Sequence, residues 1–189
     1  MLLPTDLLSN YTTAARSAGH SARTTDDETV LRAAGWPADV PTTSWTRTDV
    51  ARFALLRDLA ASMDAAAFEA AALECFTQGD SGEQRSWCRG VSLLPGPERF
   101  LDVMIETCRT NILPLFESLA CENPYPAAYF PERNFNQMVL KAMFNGVALR
   151  RIVGLPGRRN AELSRMSADY AAERTAAGRT VPPDIALAE

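Results

Sequence analysis

The apolar residues of this chain recur every three or four positions from Thr48 onward, and this helical period restricts the fold more than any other feature. In the clearest segment, one helical face would collect Phe135, Met138, Val139, Ala142, Met143 and Gly146. No segment shows the convincing alternation of apolar and polar residues that is typical of a half-buried β-strand. The sequence therefore predicts an all-α fold.

Glycine, proline and capping residues divide this pattern into separate helices. Asn160 is placed to cap the last strong helix, and Gly178 is placed just beyond its end. Two further helices are expected after Ser62 or Asp64 and from Pro97. The other predicted helices cover residues 7–18, 26–34, 48–60, 81–94, 111–119, 134–147 and 161–177.

Short connections between helices of this length favour antiparallel hairpins. We predict a single domain of stacked antiparallel helical hairpins, arranged either as a compact bundle or as a short helical-repeat-like array. Within the chain we expect a weakly structured or helical N-terminal segment over residues 1–47, a helical domain over 48–178 and an extended C-terminal tail over 179–189.

The charge of the chain excludes some classes of partner. A net charge of −4 and a pI near 5.1 argue against nucleic-acid binding, because such domains usually carry a basic surface. The same charge gives no reason to expect attraction to an anionic membrane. The first residues lack the pattern of a secretory signal, and no apolar run is long enough to span a bilayer. We therefore predict a cytoplasmic protein without a membrane span.

Residue sets for catalysis or metal binding are absent from the sequence. His20 is the only histidine, which excludes histidine-based triads and two-histidine metal sites. The four cysteines form no CxxC pair and fall in apolar helical patterns, so we expect buried free thiols. Asp102 and Glu106 share a helical face, but the nearby Arg99 and Arg109 favour surface ion pairs over a metal. We predict no catalytic set, metal or cofactor.

The most distinctive segment is NPYPAAYFPERNFNQMVLKAMF, which begins with a proline-rich stretch at 123–131. Its three prolines restrict the backbone and favour an extended path, so we predict a stiff loop. Tyr125, Tyr129 and Phe130 would then be rigid anchors. Two interpretations follow: the loop covers the ends of neighbouring helices, or its aromatic side chains form one wall of a ligand pocket.

A polar face follows this loop, formed by Asn134, Gln137, Lys141 and Asn145 at helical spacing. On one interpretation Asn134 and Gln137 form a capping box, and Lys141 is a solvated surface charge. On the other, the face binds an anion. Lys141 is the only lysine beside 18 arginines, which suggests that a compact ammonium is needed there.

On the anion-binding interpretation, basic and polar side chains near this face would form one binding site. Arg150, Arg151, Arg158 and Arg159 follow the polar face in the sequence and are suited to phosphate or carboxylate groups. The candidate ligand-binding residues are Tyr125, Tyr129, Asn134, Asn136, Gln137, Lys141 and Arg150.

Three segments carry a long pattern: GDSGEQRSWCRGVSLLPGPERF, NPYPAAYFPERNFNQMVLKAMFNGVALRRIVGL and DYAAERTAAGRTVPPDI. This pattern, which covers roughly residues 50 to 185, resembles the EboA-domain proteins of bacteria. The resemblance implies a product of a gene cluster that also encodes a membrane prenyltransferase and metabolic-enzyme homologues, linked to the synthesis or export of secondary-metabolite precursors. It implies no catalytic residues. It places the loop and helix inside the family's most recognisable segment, including Tyr125, Tyr129, Asn134, Asn136, Gln137 and Lys141.

Two hypotheses of function follow. The first is a non-catalytic helical adaptor or ligand-binding component, whose partners are other proteins of the same cluster, including the prenyltransferase, or an anionic small molecule. Trp36, Trp45 and the loop at 123–131 would be its exposed contacts. The alternative is an enzyme or carrier that acts on a phosphorylated or polar metabolite, using Lys141 and the nearby Asn and Tyr residues.

Overall fold

The computed structural model describes residues 4–18 and 24–189, so His20 lies outside the described residues. The protein is 70% helical, and the described ranges contain no strand, which confirms the all-α prediction. Within these ranges the α-helices are α1 (Pro4–Ala18), α2 (Thr25–Ala33), α3 (Arg47–Ala60), α4 (Ala65–Gln78), α5 (Ser81–Gly90), α6 (Leu101–Thr107), α7 (Leu113–Ala120), α8 (Tyr125–Tyr129), α9 (Glu132–Phe144), α10 (Leu155–Arg158) and α11 (Ala161–Ala176).

Four short 3₁₀ helices lie among these elements, at Val91–Leu93, Pro97–Phe100, Leu149–Arg151 and Ile185–Ala188. The chain divides into two compact units, with the boundary between Leu119 and Ala120. The predicted segments 1–47, 48–178 and 179–189 stay a prediction. Where the sequence predicts an extended tail, the structure has the last of the 3₁₀ helices.

The first unit is built around α3, which lies against both α1 and α5. Trp87 of α5 is buried, and its Nε1 donates a hydrogen bond to the Ala72 carbonyl of α4 at 2.9 Å. The Trp87 ring meets Phe100 edge to face, with ring centroids 5.2 Å apart. An indole that is both packed and hydrogen-bonded fixes the relative positions of α4, α5 and the start of α6.

Side-chain caps set the beginnings of the helices in the first unit. Thr46 and Asp49 form a capping box at α3, and Asp80 and Glu83 form another at α5. Asp64 accepts hydrogen bonds from two backbone N–H groups at the start of α4, which decides between the two caps that the sequence left open. These caps bring the N-terminal ends of α3 and α5 to defined positions.

The prediction that Trp36 and Trp45 are exposed contacts is wrong, because both side chains are only 3% exposed. Their rings pack edge to face at 5.1 Å. Trp36 Nε1 donates to the Val40 carbonyl at 3.1 Å, which closes the loop before α3. Packing and a hydrogen bond account for the burial of Trp36, whereas Trp45 is buried by packing alone, since its Nε1 has no acceptor among the described residues.

In the second unit the stretch predicted as a loop contains the short helix α8. Proline is tolerated in the first turn of a helix, where its missing N–H is not needed, so Pro126 does not prevent this turn. Helix α9 begins after Pro131, which is its N-cap, and Asn134 therefore lies within its first turn. The predicted capping box at Asn134 is wrong for this reason.

Helix α9 ends at Phe144, before the predicted end at Val147. Gly146 has a φ of +70°, and the Val147 N–H reaches back to the Ala142 carbonyl at 2.9 Å, which is a Schellman arrangement. The first five residues of the predicted core face are buried, as expected, while Gly146 is exposed at the turn.

The remaining boundaries differ in small ways. The helix predicted over 81–94 is an α-helix only to Gly90 and continues as the 3₁₀ helix Val91–Leu93 before Pro95. The caps predicted at Asn160 and Gly178 are confirmed. Among residues 4–18 and 24–189, no helix combines the length and the apolar character that crossing a bilayer requires.

Candidate functional site

The second unit contains a cleft of about 770 Å³. It lies beside the C-terminal end of α9, the C-terminal half of α11 and the segment 180–184. The side chains that give the cleft its chemistry are Phe144, Asn145, Arg150, Tyr170, Arg174 and Asp184.

Phe144 is the main apolar group of this cleft and is 60% exposed. It is the last residue of α9, and the turn at Gly146 leads the chain away so that Val147 is buried and Phe144 is not. The ring of Phe144 meets the Tyr170 ring edge to face at 4.8 Å. One aromatic neighbour orients the ring, and most of its surface remains open to the cleft.

Tyr170 attaches α11 to the end of α9. Its side chain is buried, and its hydroxyl donates to the Met143 carbonyl at 3.0 Å. One turn further along α11, the Arg174 guanidinium lies 5.8 Å from the centre of the Tyr170 ring. Arg174 Nε donates to the Thr180 carbonyl at 2.9 Å, which positions the guanidinium at the cleft.

Arg150 provides the second cationic group of the cleft, and its side chain is exposed. Its backbone N–H makes a long hydrogen bond, 3.4 Å, to the Asp184 carboxylate. In the described part of the chain, neither Arg150 nor Arg174 forms a side-chain ion pair. The two guanidiniums and one carboxylate give this lining an excess of one positive charge.

The structure separates the residues that the sequence grouped as one site. Arg150 lines the cleft, whereas Asn136 and Gln137 line a different cavity of about 190 Å³ beside Glu132, Arg133, Glu162 and Met166. Asn134 and Lys141 are half-buried on α9, and neither lines either cavity. The ligand-binding role of these residues stays a prediction.

The two predicted tyrosines serve packing in α8. Tyr125 is fully buried, and its ring lies 4.7 Å from the half-buried Tyr129 ring. Phe130 is also buried and meets Tyr125 edge to face. Tyr125 Oη and Tyr129 Oη are therefore not brought to the cleft, since neither residue lines it.

Two of the arginines that follow the polar face, Arg151 and Arg158, have separate partners. Arg151 forms a two-pronged ion pair with Glu122, with Nε–Oε1 and Nη2–Oε2 distances of 2.8 and 3.0 Å. Arg158 donates to the carbonyls of Ala127 and Phe130 at 2.6 and 2.7 Å. The Glu122 pair and the carbonyl bonds therefore hold these two side chains at Glu122 and at the end of α8.

Phe144 and Arg174 are not among the site residues predicted from the sequence. One signal was available for Phe144: it falls seven residues after Gln137 and three after Lys141, so it is a large aromatic on the polar face of α9. Ligand pockets are lined mainly by hydrophobic and aromatic side chains, so an aromatic residue on this face is a candidate ligand contact. Arg174 has no comparable local signal, because its role depends on the position of residue 180.

A family model described as "Metabolite traffic protein EboA" matches residues 5–188. The chain belongs to the EboA family. The match covers nearly the whole chain, and it supports a metabolite-related role for this EboA family member. No curated protein and no solved structure matches the chain. The EboA description names no binding residue, so the cleft is assigned on its geometry.

Proposed function

We propose that the protein binds and carries a small metabolite in the cleft of its second unit, and that the ligand combines a flat apolar part with an anionic group. The observation that carries this proposal is the 60% exposure of Phe144 at a cleft that also presents Arg150 and Arg174. Ligand pockets are concave and are lined predominantly by hydrophobic and aromatic side chains, with a few polar or charged groups that orient the ligand.

The size and chemistry of the cleft suit such a ligand. Small-molecule sites usually enclose about 300–1,000 Å³, and the cleft measures about 770 Å³. The Phe144 ring offers a stacking surface, and the guanidiniums of Arg150 and Arg174 can form charge-assisted hydrogen bonds with a carboxylate or phosphate. A carrier of this kind fits the family description of metabolite traffic.

The remaining expectations about function stay predictions. They concern partners encoded in the same gene cluster, an adaptor role, the cytoplasmic location and the alternative in which Lys141 acts on a polar metabolite. Lys141 does not line the cleft, so the carrier proposal does not depend on it.

The proposal is tested with anilinonaphthalene sulfonate, which combines a flat apolar ring system with one anionic group. Isothermal titration into the full chain should show one saturable site. Phe144→Ala should raise its Kd by about tenfold, since aromatic contacts and their buried area contribute on the order of 1–2 kcal/mol. Arg174→Gln should raise the Kd by a similar factor because it removes a charge-assisted hydrogen bond.

Two matched controls separate the cleft from general surface effects. Ile112→Ala changes another exposed apolar side chain, 47% exposed, in the first unit. Arg159→Gln removes an exposed charge of the second unit that does not line the cleft. Both controls should leave the Kd unchanged. An unchanged Kd in Phe144→Ala, with a native circular dichroism spectrum, would overturn the proposal.

A further inference from the structure

A cluster of buried charged side chains lies in the first unit, between α3 and α5. Arg52 and Glu83 have side chains that are 7% and 5% exposed, and those of Asp49 and Arg89 are 5% and 11% exposed. Ionised groups are costly to bury unless they are paired and hydrogen-bonded, so each member should have compensating partners.

Ser86 connects an acidic and a basic member of this cluster by hydrogen bonds. Its hydroxyl donates to Asp49 Oδ1 at 2.6 Å and accepts from Arg52 Nη1 at 3.0 Å. Arg52 Nε donates to the Tyr11 carbonyl at 3.0 Å, and Arg52 Nη2 lies 3.5 Å from Glu83 Oε1. The hydrogen bonds to Ser86 and Tyr11 and the ion pair with Glu83 compensate Arg52 within the protein, and Glu83 Oε1 is itself buried without a hydrogen-bond donor in the described part of the chain.

The two arginines of α5 are not satisfied in the same way. Arg89 Nη1 lies 3.1 Å from Asp49 Oδ2, but Arg89 Nε is buried without a hydrogen-bond acceptor. Arg85 Nε is likewise buried without an acceptor, and Arg85 forms no ion pair with any residue of the described ranges. Burial lowers the pKa of Arg89, and the positive charge of Arg85 lowers it further while Asp49 opposes the shift.

These side chains face a common cavity of about 300 Å³. Its lining includes Arg52, Arg85 and Arg89, together with the hydroxyl-bearing residues Thr46, Thr48 and Ser86. Three guanidiniums at one cavity give a donor set suited to an oxyanion, since arginine matches phosphate and carboxylate geometry.

Two carboxylates also line the cavity, and both are already occupied by donors. Asp49 Oδ2 accepts from the Thr46 N–H and hydroxyl at 2.8 and 2.9 Å, in addition to the Arg89 contact. Asp80 Oδ1 accepts from the backbone N–H groups of Gly82 and Glu83 at 2.8 and 2.9 Å. These carboxylate oxygens already have donors, whereas Arg85 has no ion pair with any residue of the described ranges.

We infer that this cavity is a second ligand site, which binds a phosphate group, either as inorganic phosphate or as part of a phosphate monoester. The site lies wholly in the first unit and is independent of the proposed cleft. The phosphate oxygens would accept from the guanidiniums of Arg85 and Arg89 and provide the anion that Arg85 lacks. The remaining volume gives room for the organic part of a small monoester.

Calorimetric titration of inorganic phosphate into the full chain, in a low-salt buffer, tests this inference. Saturable binding at a site that depends on Arg85 is expected. Arg85→Gln should weaken phosphate binding by about tenfold or more, because a hydrogen bond to a charged group is lost. Arg85→Lys keeps the charge and should recover part of the affinity. Arg85 takes no part in the Ser86 network, so these variants should fold.

Two controls make the outcome decisive. Arg109→Gln removes an exposed arginine of the same unit that is paired with Glu106, and it should leave phosphate affinity unchanged. Arg174→Gln removes a cation of the cleft, so it identifies any phosphate that binds there and not at Arg85. The inference is overturned if wild-type protein shows no saturable binding, if Arg85→Gln binds as wild type does, or if only Arg174→Gln loses affinity. A titration with glycerol phosphate then shows whether the free ion or a monoester binds more tightly.

Discussion

Asn136 and Asn160 hydrogen-bond to each other through both side-chain amides, with Nδ2 of each residue donating to Oδ1 of the other at 3.0 Å. Asn160 Oδ1 also accepts from the Leu163 N–H at 2.9 Å and thereby caps α11. The pair therefore connects the middle of α9 to the beginning of α11, and Asn136 holds the capping residue in place.

Replacement of Asn136 by alanine should lower the free energy of unfolding by about 1–3 kcal/mol, because the Asn160 amide would lose both of its hydrogen bonds to Asn136 in a mostly buried position. Urea unfolding of the full chain measures this change. Asn134→Ala is the matched control, since Asn134 lies on the same helix and does not cap it. The control should cost less than about 0.5 kcal/mol. Equal losses in the two variants would contradict the assignment.

Arg158 should be irreplaceable by lysine, because its guanidinium serves several acceptors at once. It donates to the carbonyls at the end of α8, including Ala127 and Phe130, and lies 4.5 Å from the centre of the Phe135 ring. Arg158→Lys keeps the charge but loses the planar fork, so we expect a loss of about 1–3 kcal/mol in unfolding free energy. The same change at exposed Arg159 should have little effect, and similar losses would refute this role.

Local signals in the sequence were enough to place most helices. Asn160 and Gly178 were predicted as the cap and stop of α11, and Asp64 was one of two proposed caps, because capping depends on a few neighbouring residues. Local rules failed at Asn134. The N-cap of α9 is Pro131, so the helix starts before Asn134 and includes it.

The candidate site was harder to predict, because a shared helical face does not show what lies opposite it. Asn136 was expected to bind a ligand, yet its partner is Asn160, which lies 24 residues later in the chain. The exposure of Phe144 depends on α11 and on the segment 180–184, which meet it only in the folded unit. The charged cluster at Ser86 joins residues from α3 and α5 that are 34 to 37 positions apart.

A comparison of Gly154 with Gly146 measures the steric contact between residue 154 and Ala127. Both have positive φ, +74° and +70°, so alanine should cost about 1 kcal/mol at either position through backbone strain. At Gly154 an added Cβ would also lie 2.6 Å from Ala127 Cβ, whereas at Gly146 it would meet nothing within 4 Å. Gly154→Ala should therefore be the more destabilising, as measured by urea unfolding, and Ala127→Gly should recover the difference. Equal effects would refute the close approach of α8 to residue 154.

The buried thiols of the first unit should make stability fall at alkaline pH. Burial raises the pKa of Cys88, and likewise that of Cys75, from 9.0 to about 12. Because the folded-state pKa is the higher one, the stabilisation is complete below pH 9 and is lost as the pH rises from 9 towards 12. Each thiol should contribute a slope of about 1.4 kcal/mol per pH unit there. Urea unfolding across this range should show a shallower slope in Cys88→Ala and a still shallower one when Cys75→Ala is added. A slope that Cys88→Ala leaves unchanged would show that Cys88 does not stay protonated in the folded chain.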